Sequence, residues 1–191
     1  MKLYLLYFIY LFLFIYTIER SVFAIVVPFK VRLKKRNWLT ILPILTYGGI
    51  FFSSIYEFSV KVTLLNLTIT LVGFVSFCVG VIFRYQAAKA FQRTNQAWIS
   101  SIDSHNIHSI VSGGIYKYMR HPYYLSVVLE LGGVCLMLNA LRTIFALVIQ
   151  VLFLWRRINV EESMLLNKFG EEYASYKMRI PLIPFWRKIT W

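Results

Sequence analysis

Leu64-Leu-Asn-Leu-Thr-Ile-Thr-Leu-Val-Gly-Phe-Val-Ser-Phe-Cys-Val-Gly-Val-Ile-Phe83 runs without a single charged side chain. A helix of that length rises about 30 Å, the thickness of a bilayer's hydrocarbon core. The stretch therefore predicts a membrane-spanning helix. Gly73, Ser76 and Gly80 fall at i, i+3 and i+7 within it, a stripe of small side chains along which membrane helices approach closely.

Four further runs compete for the same role. Trp38 to Tyr56 reads as a span with Pro43 and Gly48-Gly49 as bends. Leu3 to Ile18 is charge-free up to Glu19-Arg20 and resumes as Ser21 to Phe29. It has only Lys2 as a basic leader and no small-residue cleavage site, so it reads as an anchor that stays. Pro122 to Leu141 holds one acid, Glu130, and Thr143 to Trp155 follows after a tight turn over Asn139 to Arg142. The last run rises only about 20 Å before Arg156-Arg157, which places those arginines at or slightly below the membrane surface.

Composition agrees. Of 191 residues, 59% are hydrophobic and 15% charged, and the mean hydropathy is +0.63, a balance that cannot coat a water-soluble globule with polar surface. The net charge of +13 would suggest nucleic acid on a soluble basic face, but here the basic residues lie between apolar runs, so a nucleic-acid partner is not expected. Cys78 and Cys135 sit inside apolar stretches with no Cys-x-x-Cys, which signals neither a metal site nor a disulfide framework.

Basic residues also orient the chain, because cytoplasmic loops are enriched in Lys and Arg. All of them except Lys2, Lys61 and Arg142 fall on one side, in the 19–37 and 84–121 segments and the tail. The expected architecture is an all-α integral membrane protein of about five transmembrane helices. Its amino terminus lies outside and its carboxyl terminus in the cytoplasm, in a bacterial-type cytoplasmic membrane rather than the endoplasmic reticulum. The first 83 residues form three spans with little chemistry. Residues 84–191 carry a helical hairpin, 122–155, flanked by two long polar segments on the cytoplasmic side, and segments of that length usually have a function.

The first segment ends in Ser112-Gly-Gly-Ile-Tyr-Lys-Tyr-Met-Arg-His-Pro-Tyr-Tyr124. Gly113-Gly114 permits a tight turn, and Pro122 suits the first turn of a helix, where its missing N–H is no loss. Arg120 and His121 then stand at a helix amino end, a place suited to a carboxylate or phosphate. They read equally as interfacial anchors, with Tyr123 and Tyr124 as an aromatic belt. In the second segment, Met164, Leu165 and Phe169 keep helical spacing, so the last span continues as a cytoplasmic helix ending near Gly170. Arg157 and Glu161, at i and i+4, form either a surface ion pair or part of a site facing the His121 end. Arg157 and Glu162 point about 140° apart, so they serve different partners. Glu130, two turns into the hairpin, needs a helix partner or a wet acceptor pocket.

The succession His108-Ser-Ile-Val-Ser-Gly-Gly-Ile-Tyr-Lys-Tyr-Met-Arg-His-Pro-Tyr-Tyr124, a hairpin with Asn139 in its turn, Arg157-x4-Glu162, then Glu161-x3-Leu165-x3-Phe169-Gly-Glu-Glu-Tyr173-x2-Tyr176 and prolines 181 and 184 resembles the isoprenylcysteine carboxyl methyltransferase family. The resemblance covers roughly residues 105 to 185. It implies a membrane-embedded enzyme using S-adenosylmethionine without a Rossmann domain, and the chain has no G-x-G-x-x-G. By position the resemblance puts cofactor contacts at His108, Gly114, Tyr116, Arg120, His121, Tyr124 and Glu162, and the catalytic end at Arg157 and Glu162. Arg157, with Glu130 and Ser126, is expected on the acceptor side. Ser126 stands where the family often has glycine, and Trp98 lacks the usual preceding glycine.

The expected function is methyl transfer to a lipophilic or prenylated acceptor reached from the bilayer. A carboxylate acceptor is already ionised at neutral pH, whereas a phenol, enol or amine needs a base from among Glu162, Glu130 and His121. Two other readings compete: a nicotinamide-dependent reductase of the sterol-reductase type, and a non-catalytic lipid-binding protein.

Overall fold

The computed structural model describes residue 16 and residues 38–61, 66–93 and 109–183. The chain divides into two compact units, 1–36 and 37–191. Of the first, only Tyr16 is described, and the expected span over Leu3–Ile18 lies otherwise outside the described residues, as do Trp98 and His108.

All regular structure among the described residues is helical. In the second unit α1 spans Trp38–Lys61, α2 Leu67–Gln92, α3 Pro122–Met137, α4 Ala146–Phe169 and α5 Glu171–Arg179, with 3-10 turns at Gly114–Lys117 and Thr143–Phe145. Two stretches, Leu67–Phe91 and Thr143–Phe169, are long and apolar enough to cross a membrane. Their outer faces leave Leu71, Val75, Ile82, Val148, Ile149, Leu152 and Trp155 exposed. Water would not tolerate such a belt on a monomer, and acyl chains would.

α2 and α3 pack along the small-residue stripe. A Cβ on Gly73 would overlap the Met137 backbone nitrogen and lie 2.7 Å from the Gly133 carbonyl, and one on Gly133 would lie 2.7 Å from the Phe77 nitrogen. The Ser76 hydroxyl donates to the Leu129 carbonyl at 3.0 Å. The turn after α3 is closed by Asn139, whose φ of 52° is left-handed. Its amide donates to the Thr70 hydroxyl and its carbonyl accepts from the Asn66 N–H, both at 2.8 Å. The hairpin is thereby tied to the start of α2.

α1 packs on α4 through polar groups set in apolar surface. Glu57 accepts the Thr143 N–H and hydroxyl, both at 3.0 Å, and so caps the turn that leads into α4. Gln150 bonds the Thr46 hydroxyl and donates to the Pro43 carbonyl.

One boundary differs from the hydropathy reading, and one agrees with the helical spacing. α2 continues through Arg84 to Gln92 rather than ending at Phe83, because Arg84 is 1% exposed and paired with Glu130 at 3.0 Å. A charge with a buried counter-ion does not end a helix. α4 runs unbroken past Arg156-Arg157 to Phe169, as the spacing of Met164, Leu165 and Phe169 requires, and the Gly170 N–H closes it on the Leu166 carbonyl at 2.8 Å.

Candidate active site at the mouth of the hairpin

Gly114, at φ 59°, opens the 3-10 turn in a conformation that disfavours other residues. The turn drives Ile115 and Tyr116 inward, and Tyr116 meets Phe91 of α2 edge-to-face at 5.5 Å. His121 caps α3 and Pro122 occupies its first turn. α5 folds back over this end: the Arg120 N–H donates to the Pro181 carbonyl at 3.0 Å and the Tyr176 hydroxyl to the Tyr116 carbonyl at 2.8 Å.

Three basic side chains converge on one acid. Glu162 Oε1 lies 2.8 Å from Arg120 Nε and 3.2 Å from His121 Nε2, while Oε2 lies 2.6 Å from Lys177 Nζ. Burial alone would raise its carboxyl above the ordinary range. The bonds from His121 and Lys177 and the Arg120 charge outweigh that effect and hold it at about 2. Arg120 Nη1 also donates to the Lys177 and Ile180 carbonyls at 2.9 and 2.6 Å, which fixes the plane of its guanidinium.

The neighbouring acid does something different. Glu161 Oε2 accepts from the Tyr124 hydroxyl at 2.6 Å, and that hydroxyl accepts from Arg157 Nε at 2.9 Å. The Arg157 guanidinium lies 5.9 Å from the Tyr124 ring centre, within the range of a cation–π contact. The pair expected between Arg157 and Glu161 is thus joined through a phenol.

A cavity of about 50 Å³ lies between these groups. Phe91, Tyr116, Tyr173 and Tyr176 supply an aromatic wall, and Arg120, His121 and Glu161 the polar edge. Burial, reinforced by Glu161 for Tyr116 and by Glu162 for Tyr173, pushes both phenols far above their ordinary range; burial likewise pushes Tyr176 up against the lowering effect of Arg120. All three stay neutral.

Of the residues expected in a site, Tyr116, Arg120 and His121 line this cavity, and Tyr124, Arg157 and Glu162 stand directly behind it. Gly114 faces Ala90, where a Cβ would come within 3.6 Å of the Ala90 methyl. Ser126 is fully buried, with its hydroxyl donating to the Tyr123 carbonyl at 2.7 Å, and Glu130 is fully buried against Arg84. The sequence reading missed Tyr173, Tyr176, Lys177 and Arg84. Tyr173-x2-Tyr176 marks a buried helical face, with Lys177 beside it, and Arg84 falls four residues after Gly80 on the stripe that packs against α3.

The family model of the isoprenylcysteine carboxyl methyltransferase (ICMT) family matches residues 71–167, just over half of the chain. Among curated proteins, a protein-S-isoprenylcysteine O-methyltransferase of Schizosaccharomyces pombe is 32% identical over 56% of this chain and 47% of its own length. Its namesake in Xenopus laevis is 29% identical over 70% and 48%. Methanethiol S-methyltransferase 1 of Bradyrhizobium diazoefficiens is 34% identical over 39% and 25%. The chain spans about half the length of the first two. No solved structure gives a significant match. The matched residues run from the first turns of α2 through the hairpin to the last turn of α4 and take in the 3-10 turn, Arg120, His121, Arg157 and both acids, so this chain belongs to the isoprenylcysteine carboxyl methyltransferase (ICMT) family.

Proposed function

We propose that the chain is an integral membrane methyltransferase that takes its methyl group from S-adenosylmethionine and delivers it to a lipophilic carboxylate, with an S-prenylated cysteine as the first acceptor to test. The observation that carries this reading is the cavity at the hairpin mouth, with rings on one side and both signs of charge on the other. That donor set fits the cofactor. An aromatic wall suits its purine, Arg120 and His121 suit its carboxylate, and Glu161 suits its ammonium. At about 50 Å³ the cavity holds about a water or two, so a nucleoside enters as the α5 side of the lining moves outward.

Glu162 was expected at the catalytic end. Its bonds to Arg120, His121 and Lys177 support a role in holding Arg120 and His121 in place, with Glu161 as the acid on the cavity. The bound cofactor supplies an electrophilic methyl on a sulfonium. The chain's own residues then have a task of alignment. Tyr124 holds Glu161 and Arg157 at a fixed separation, and Arg157 orients an anionic acceptor arriving from the membrane. A carboxylate needs no base, and the new C–O bond forms as the C–S bond breaks, with no proton to move. Holding the two reactants in line is worth about 7 to 11 kcal/mol.

In this reading five spans place the amino terminus outside and the site under the cytoplasmic headgroups. The test uses full-length protein in nanodiscs, S-adenosylhomocysteine calorimetry, and labelled methyl donor with an S-farnesylated cysteine. The expected results are saturable binding and label released by base as methanol, with Arg157→Ala abolishing transfer while the protein still inserts. Absence of S-adenosylhomocysteine binding would overturn the reading.

A further inference from the structure

Arg84 and Glu130 form an ion pair at 3.0 Å with side chains 1% and 0% exposed. The site description does not use it. On α2, Arg84 lies on the stripe that runs Gly73, Phe77, Gly80, Arg84, Ala87, Phe91. The first half of the stripe packs on α3: a Cβ on Gly80 would lie 2.7 Å from Glu130 Cγ and 3.0 Å from the Ser126 carbonyl. The second half adds the 3-10 turn as a partner beside the first turn of α3: Ala87 and Ala90 cluster with Ile115, Tyr116 and Met119, with Tyr123 and Leu125 of α3 packed against them, and Phe91 meets Tyr116. The ion pair therefore sits at the point where α2 gains its second partner.

Four hydrogen bonds tie α2 to α3 and its turn on the far side of that point: Asn66 to Asn139, Asn139 to Thr70, Thr70 to Met137, and Ser76 to Leu129. A glycine face lets two helices approach but is smooth, so it fixes their separation better than their register. Arg84 and Phe91 are seven residues apart, about 10 Å along the axis and on the same face. Glu130 is a similar distance along α3 from His121. Neither partner reaches the cavity, so any effect on a ligand passes through the helices.

We propose that Arg84 and Glu130 are positioning residues: a charged pin that sets the register of the cytoplasmic end of α2 against α3 and so fixes Phe91 against Tyr116 in the wall of the cofactor cavity. The cofactor half of this statement rests on the function proposed above; the register half does not. Burying a charge pair for strength alone is a poor bargain, since an apolar pair of similar volume is commonly as stable, whereas polar pairs that specify register are well attested.

The test separates strength from register. Ala90→Cys and Gly114→Cys, introduced with Cys78→Ala and Cys135→Ala, place two thiols where the Cβ positions lie 3.6 Å apart, within disulfide range; the strain of a side chain at the positive φ of Gly114 is common to the parent and every variant, so the ratio of their rates is what is read. The oxidative cross-linking rate of the ligand-free full-length chain then reports register directly. In Arg84→Met/Glu130→Leu, the melting temperature is expected to return to that of the parent. Cross-linking is expected to slow about ten-fold, and the S-adenosylhomocysteine Kd, measured without the added cysteines, to rise by a similar factor, the range reached by substitutions remote from a ligand. An unchanged cross-linking rate in that folded variant overturns the proposal. If the double variant does not fold, Arg84→Lys is expected to cross-link at nearly the parent rate and Arg84→Gln about ten-fold more slowly, and equal rates overturn it. A parent protein that binds no S-adenosylhomocysteine removes the proposed function, while the cross-linking arm still decides the pin.

Discussion

Replacing Glu162 with Gln tests the charge at the centre of the site while keeping its shape. The carboxyl is held at about 2 against an ordinary 4.5. At about 1.4 kcal/mol per pH unit that depression is worth about 3 kcal/mol to the folded state. Lys177 is 40% exposed, so solvent screens its share and about 2 kcal/mol is the better figure. Removal of one partner from a buried pair is worth about 3 to 5 kcal/mol, and Arg120 falls below that range because it keeps two backbone carbonyl acceptors. For a chain of 191 residues, about 2 kcal/mol corresponds to roughly 4 to 8 °C in Tm. The folded-state value is depressed, so this contribution is fully present above about pH 4.5 and is lost as pH falls toward about 2. Thermal unfolding of the reconstituted wild type and Glu162→Gln, followed by circular dichroism, should show the full gap at neutral pH. The gap should narrow below about pH 4.5 and fall to about a quarter of its full width by about pH 2.5. A variant as stable as the wild type at neutral pH, or a gap equally wide in acid, refutes the account of Glu162 as the anchor of Arg120, His121 and Lys177.

Gly73→Ala should cost about 2 to 4 kcal/mol, because its Cβ would overlap backbone of α3 with no flexible atom to yield. Gly48→Ala, whose Cβ meets nothing within 4 Å, should be neutral or stabilising by about 0.5 to 1 kcal/mol; denaturant titration of the pair in one detergent checks both. Tyr124→Phe deletes the hydroxyl that joins Glu161 to Arg157. It should lower kcat/KM for methyl transfer by about 10- to 100-fold and cost about 1 to 3 kcal/mol of stability, because the buried Glu161 carboxyl loses its partner; steady-state kinetics on the folded variant against a Tyr123→Phe control decides it.

What the sequence revealed about the fold follows from how local each feature is. The small-residue stripe Gly73, Ser76, Gly80 can be read directly, since helical geometry makes spacing equivalent to a face, and that face is the one that meets α3. The end of α4 is likewise written in Phe169-Gly170. The end of α2 is not, because hydropathy treats Arg84 as a boundary. Its neutralising partner lies 46 residues further on, in another helix, and no local signal reports a pairing at that distance. Lys177 was missed for a related reason. Gly170, at φ 53°, turns α5 back over the hairpin mouth, and only that reversal brings a tail lysine to Glu162. Glu57 reads as an ordinary acid near the end of α1, and its role as a cap for the turn before α4 appears only once the two helices are side by side.

Adjacent acids on a helix point about 100° apart, and this fact decides how the site is divided. Glu161 turns toward Tyr124 and the cavity, while Glu162 turns toward Arg120, His121 and Lys177. The first presents its carboxyl where a ligand can meet it, and the second is engaged in holding Arg120, His121 and Lys177 still. Arg157, one turn before Glu161, shares its face and so reaches the same phenol, whereas its angle to Glu162 keeps it out of the cation cluster. A single turn of α4 thus supplies one group for each task, provided that α3 begins where it does. Pro122 fixes that beginning, and with it the positions of Arg120 and His121 below the helix and of Tyr124 within its first turn. Shifting either helix by one residue would bring Glu162 to the phenol or Glu161 to the arginine, and the separation between holding and presenting charge would be lost.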